Sequence, residues 1–92
     1  MIASFSRKAL RRFWEHSDKS KLPARHLKRI ELILDRLDAS VRPTDMNLPG
    51  LNFHGHRGNR QGTYSVTVTG NQRITFRWSG DDATDVDYED PH

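Results

Sequence analysis

The chain has 92 residues and a net charge of +3, with 34% hydrophobic and 29% charged residues, four Phe, two Tyr, two Trp and no cysteine. This is one domain's worth of core, which excludes a multi-domain enzyme or a large cofactor fold; the missing thiols exclude disulfide scaffolds, thiolate zinc sites and cysteine nucleophiles. Residues 1–80 carry all 15 Lys and Arg against six acids, leaving +9, while residues 81–92 carry the other six acids, leaving −6: a basic body that either binds a polyanion or is neutralised by its own acidic end.

In chain order, Ile2–Phe5 reads as a short strand, and Ser6 as the N-cap of a helix running to about His16 with Leu10, Phe13 and Trp14 on one face. The basic, acid-free stretch Met1–Trp14 is thus strand and helix rather than a transit peptide. No run reaches the ~18 apolar residues of a membrane span and no secretory leader is recognisable, so a cytoplasmic setting without a membrane partner is expected.

Pro23 suits the first turn of a second helix ending near Asp38. At 100° per residue, Leu27, Ile30, Ile33, Leu34 and Leu37 share one arc, and Arg25, Lys28, Arg29 and Arg36 another, with Leu32 out of phase among the cations. That basic arc is either a solvated face or a surface for an RNA backbone or an acidic protein. An apolar residue inside it favours a protein. Residues 39–62 lack periodicity and hold Pro43, Pro49, Gly50, Gly55, Gly58 and Gly62 together with His54, His56, Arg57 and Arg60; a connection this long in a small domain is more often functional than incidental.

Three alternating runs follow: Tyr64, Val66, Val68; Ile74, Phe76, Trp78; and Thr84, Val86, Tyr88. Helices first and a meander last predict an α+β fold, with two N-terminal helices packed on one face of a small twisted antiparallel-rich sheet, in a single domain spanning residues 1–92. Keeping apolar residues opposed calls for a three-residue loop Gly70–Gln72, with Val68 opposite Ile74, Val66 opposite Phe76 and Tyr64 opposite Trp78. A five-residue turn Ser79–Ala83 then sets Trp78 opposite Thr84, Phe76 opposite Val86, Ile74 opposite Tyr88, Arg77 opposite Asp85 and Arg73 opposite Glu89.

If the long loop folds across the end of the sheet, His54, Arg57, Arg60, Arg73, Asp90 and His92 form one cluster. Imidazoles can move protons near neutrality and guanidiniums can hold a phosphate. RNA supplies its own 2′-hydroxyl nucleophile, so the combination needs no metal or cofactor. The bland alternatives are a frayed terminal His92, solvated loop cations, and His54 with His56 as metal ligands whose spacing no regular element fixes.

The stretch Gly58-Asn59-Arg60-Gln61-Gly62-Thr63-Tyr64-Ser65-Val66-Thr67-Val68, then Arg73-Ile74-Thr75-Phe76-Arg77-Trp78, the ending Asp87-Tyr88-Glu89-Asp90-Pro91-His92 and the opening Met1-Ile2-Ala3-Ser4-Phe5 resemble the HigB-type killer toxins of the RelE superfamily. The likeness spans essentially the whole chain. It implies the RelE-like microbial RNase fold and an endoribonuclease that cuts mRNA in the ribosomal A site. The implied partner is a HigA-like helix-turn-helix antitoxin, with operator DNA bound only through the complex. Carried over by position, His54, Arg57, Arg73, Asp90 and His92 stand at the family's catalytic positions. The charge pattern, rather than the resemblance, adds Arg60 and the helix cations Arg25, Lys28, Arg29 and Arg36 as expected RNA or ribosome contacts, being cations that the acidic last strand does not pair. Pro91 stands where the family often has a tyrosine, and Gln72 where a tryptophan is common. A non-catalytic protein that binds the ribosome or nucleic acid, acting with its antitoxin as a co-repressor, is the competing class.

Overall fold

The computed structural model describes residues 1–90. Its elements are α1 (Lys8–His16), α2 (Leu27–Ala39), β1 (His54–Gly55), β2 (Tyr64–Thr69), β3 (Gln72–Ser79) and β4 (Asp82–Glu89), with 3₁₀ turns at Ala24–His26, Pro43–Met46 and Gly58–Arg60. The strands form one antiparallel sheet in the order β1-β2-β3-β4. Leu10 and Phe13 of α1 and Ile30, Ile33, Leu34 and Leu37 of α2 pack on Val66, Val68, Ile74, Phe76, Val86 and Tyr88, so both helices cover one face, as the patterning predicts.

The first segment differs in detail. Ile2 and Phe5 bridge in parallel to Ala83 and Val86 of β4, and the Ser6 N–H donates to the Val86 carbonyl at 2.9 Å. That bond holds Ser6 in extended pairing, so α1 starts one residue later than expected. Arg7 occupies the cap position with no side-chain cap bond. At the other end Ser17 turns left-handed (φ 56) and its N–H closes on Phe13.

Pro23 opens a 3₁₀ turn rather than α2 itself. On α2, Leu32 is 51% exposed, in keeping with its phase. Arg29 departs from expectation: its Nε donates to the Val68 carbonyl (2.8 Å) and its Nη2 to those of Gly50 (2.7 Å) and Thr67 (3.1 Å). It is a clamp between α2, β2 and the long connection. Arg25, Lys28 and Arg36 stay exposed.

Both hairpin registers depart from the parity argument. Thr69 pairs with Gln72 through a two-residue Gly70-Asn71 turn, and a bulge at Val68 restores the alternation, giving Thr67↔Arg73, Val66↔Ile74 and Tyr64↔Phe76. Likewise Ser79 pairs with Asp82 around Gly80-Asp81, then Trp78↔Ala83 and Arg77↔Thr84, and a bulge precedes Thr75↔Asp87, Ile74↔Tyr88 and Arg73↔Glu89. Gly70 (φ 52) and Gly80 (φ 60) supply the positive φ that two-residue turns require. Turn chemistry therefore selects the short loops, and the parity conflict is absorbed inside the strands. Arg73 and Ile74 meet the partners expected of them. Arg77 does not meet Asp85, whose backbone is left-handed (φ 52) in the second bulge and whose N–H donates to Ser4 Oγ at 2.9 Å.

Candidate active site

The sheet face away from the helices is polar, yet its centre is closed to water: Ser65 is 1% and Thr75 3% exposed. What covers them is the aperiodic connection. The pairing of β1 with β2 sets His54 opposite Ser65, and the His56 N–H donates to the Thr63 carbonyl at 2.8 Å, so the two histidines, two residues apart on extended chain, share this face. Gly55 between them turns the other way and lies against the Tyr64 ring.

From the turn after β1, Arg60 reaches over β2 and β3 to the end of β4. Its Nη2 lies 2.6 Å and its Nη1 3.4 Å from the carboxylate of Glu89. The same carboxylate accepts from Arg73 Nε at 3.3 Å and Thr75 Oγ1 at 3.4 Å. Among the described residues the two terminal nitrogens of Arg73 make no hydrogen bond. Two guanidiniums held by one carboxylate leave a net positive cradle, with the orientation of both fixed.

The hydrogen bond from Arg60 holds the Glu89 carboxyl below its ordinary range against the opposing effect of burial, with the charges of Arg60 and Arg73 helping. The same bond pushes the Arg60 guanidinium up. Burial pushes the His56 imidazole below 6.5, reinforced by the charges of Arg60, His54 and Arg73 and only partly offset by Glu89. The rings of His54 and His56 lie 5.1 Å apart. His54 Nδ1 is 3.2 Å from the Asn52 carbonyl and its Nε2 3.2 Å from Ser65 Oγ.

The structure thus brings together His54, Arg60 and Arg73 from the expected cluster. Arg57 is exposed at the start of the Gly58–Arg60 turn. Asp90 follows β4 and accepts from Gln72 Nε2 at 3.3 Å; it lines a shallow depression with Arg25 and His26, which places it toward the helix side of the sheet end. His92, and the Pro91 before it, lie outside the described residues. Sequence patterning offers Glu89 only as the strand partner of Arg73, and His56 only as a metal-ligand alternative beside His54; the signal for His56 on this face is its i, i+2 spacing from His54.

Among the described residues no group of three or more His, Asp or Glu side chains is placed to hold a metal ion. No described helix is long and apolar enough to cross a membrane.

Residues 3–92 match the family described as RelE-like toxin of type II toxin-antitoxin system HigB. The chain is also similar to a protein of Proteus vulgaris named Endoribonuclease HigB, at 36% identity over 92 residues, all of both chains.

Proposed function

The chain belongs to the HigB-like family of RelE-like type II toxins, and from that membership and the cradle of Arg60, Arg73, His54 and His56 we propose that it is a ribosome-dependent, metal-independent mRNA endoribonuclease that inhibits translation. The observation that carries the reading is Arg73: Glu89 holds its Nε, its terminal nitrogens make no hydrogen bond among the described residues, and strand alternation sets it on the same sheet face as His54, where those donors could take a phosphate. A phosphodiester seated there would meet positive charge where the phosphorane develops negative charge. An imidazole removes the proton of the adjacent 2′-hydroxyl, the 2′-oxygen bonds to phosphorus, and the P–O5′ bond breaks. A second imidazole returns a proton to the departing 5′-oxygen, leaving a 2′,3′-cyclic phosphate and a 5′-hydroxyl. His54 is one of the two groups by position, His92 the other by family resemblance, and Arg57 and Asp90 are RNA-contacting or orienting groups on the same grounds.

General acid–base help supplies ~10²–10⁴-fold, so a site this sparse draws its remaining rate from alignment of the RNA by the ribosome. Exposed Arg25 in the 3₁₀ turn before α2 and Lys28 and Arg36 on α2 supply further cations toward ribosomal RNA, whereas Arg29 is spent on backbone carbonyls. Membership of a type II toxin–antitoxin family implies an antitoxin partner. We take it to be a HigA-like helix-turn-helix protein that bridges the toxin to operator DNA, with the cytoplasm as the place of action.

The test is purified protein added to programmed ribosomes, with and without EDTA, followed by mapping of mRNA ends and their terminal groups. Cyclic-phosphate and 5′-hydroxyl ends formed in EDTA, and little cutting of free mRNA, are expected. Ribosome or operator binding without any cut would instead establish the non-catalytic co-repressor, and loss of cutting in EDTA a metal-dependent nuclease.

A further inference from the structure

Family membership implies a protein antitoxin, so some surface of this chain has to hold one. Three large apolar side chains are exposed among the described residues, Met1, Leu32 and Val41, and of these Leu32 lines a groove. The groove runs between α2 and the long connection, with Leu32, Ile33 and Arg36 on one side and Leu48, Pro49 and Leu51 on the other. Its volume of about 260 Å³ falls below the ~300–1,000 Å³ of a small-molecule site, which suits a side-chain anchor rather than a metabolite.

The walls are fixed before any partner arrives. Arg29 Nη2 donates to the Gly50 carbonyl at 2.7 Å and the Thr67 N–H to the Leu51 carbonyl at 2.7 Å, so the connection is tied down immediately after Pro49. A preformed groove loses little further order on binding. The charge around it has one sign. Lys28, Leu32 and Arg36 stand four residues apart on α2 and form one ridge, and Arg29 and Arg36 line the groove with no described acid beside them. Neither Lys28 nor Arg36 has an ion pair among the described residues. Glu31 and Asp35 of the same helix line a separate depression with Trp14. An apolar floor offers a phosphate no donor, whereas it accepts an apolar side chain whose neighbouring carboxylates reach the flanking cations.

We propose that this groove is the docking surface for the antitoxin, and that it takes an acidic segment whose one large apolar side chain seats against Leu32, Leu48 and Pro49 while its carboxylates pair with Lys28 and Arg36. The inference rests on the type II toxin reading and deepens it, naming the surface and the chemistry of the partner. The apolar anchor supplies most of the affinity, and the rim charges mainly speed and orient the encounter. The part of Lys28 and Arg36 toward ribosomal RNA belongs to the free toxin.

The experiment titrates purified cognate antitoxin into the full-length toxin by calorimetry, for wild type, Leu32→Asp, Arg36→Glu and, as a control at an exposed apolar residue outside the groove, Val41→Asp. Thermal melts and mRNA cleavage on programmed ribosomes are recorded on the same preparations. Leu32→Asp is expected to weaken antitoxin binding roughly 10–100-fold with cleavage by the free toxin retained, and Val41→Asp to bind as wild type does. Wild-type affinity should fall as salt rises, and Arg36→Glu should flatten that dependence. Should Leu32→Asp melt early, Leu32→Gln, a better helix former, is read in its place. Undiminished antitoxin binding by the Leu32 variant overturns the surface and leaves the toxin reading standing, as does a wild type that cleaves mRNA yet binds no antitoxin. Self-association of the toxin that depends on Leu32, or loss of ribosome affinity in Leu32→Asp with antitoxin binding intact, gives the groove to a second copy or to the ribosome and also overturns the proposal. Absence of both cleavage and antitoxin binding in the wild type overturns the reading on which it rests.

Discussion

Arg60 and Glu89, 29 residues apart in sequence, meet at 2.6 Å across the polar face of the sheet and tie the β1–β2 connection to the end of β4. The same carboxylate holds Arg73 at 3.3 Å, so one acidic residue organises both cradle arginines. With Arg60 40% and Glu89 24% exposed at the side chain, water screens part of the attraction. Glu89→Gln is expected to cost about 1–2 kcal/mol and to lower the melting temperature by about 5–15 °C. The pair has a definite pH signature. The folded-state pKa of Glu89 lies below the ordinary 4.5, so its stabilisation is fully present above about that pH and is lost as pH falls through the folded value. Wild-type and Glu89→Gln melts should converge in that acid window.

His56 acts on stability in a higher window. Its folded pKa lies below 6.5, so both states are neutral above that value, and as pH falls below it the unfolded chain takes a proton that the folded chain refuses. Stability therefore declines with falling pH from about 6.5 until the folded value is passed. Denaturant titrations of His56→Gln should show a shallower slope there than the wild type.

Arg29 is expected to behave as a fold residue. Its guanidinium serves three carbonyls from two segments, and truncation leaves those acceptors unsatisfied. Arg29→Ala should lose about 2–4 kcal/mol, and Arg29→Lys should recover little, since a point ammonium cannot replace the fork. Chemical denaturation checks both.

Asp85 carries a left-handed backbone at the β4 bulge. Asp85→Val should cost about 1–2 kcal/mol through backbone strain, while Asp85→Gly stays within about 0.5 kcal/mol of the wild type. A thermal melt of each separates the backbone from the side-chain contribution.

Arg73→Ala should reduce ribosome-dependent cleavage by roughly 10²-fold or more with only a small change in melting temperature. Its side chain adds a single 3.3 Å bond to a carboxylate that Arg60 already holds. End mapping and a circular-dichroism melt on the same preparation check the two halves of that statement.

Elements whose signal is local were legible in the sequence: the apolar arc Ile30, Ile33, Leu34, Leu37, the exposed Leu32, the alternation of the last three strands and the α+β class. Strand registers were not, because opposing residues by parity assumes unbroken strands, and the energetic preference of Gly70 and Gly80 for two-residue turns moved the irregularity to Val68 and Asp85. The charge asymmetry was equally visible, but its meaning depended on distance. Arg73 met Glu89 as expected, Arg77 met Thr84 instead of Asp85, and Arg29 turned from a surface cation into a clamp. Composition and period by themselves determined that there would be a polar sheet face with cations near it. Only the tertiary structure decided which cations converge and that His56 joins His54 beneath them, because an aperiodic loop owes its path to long-range contacts that leave no periodic trace in the chain.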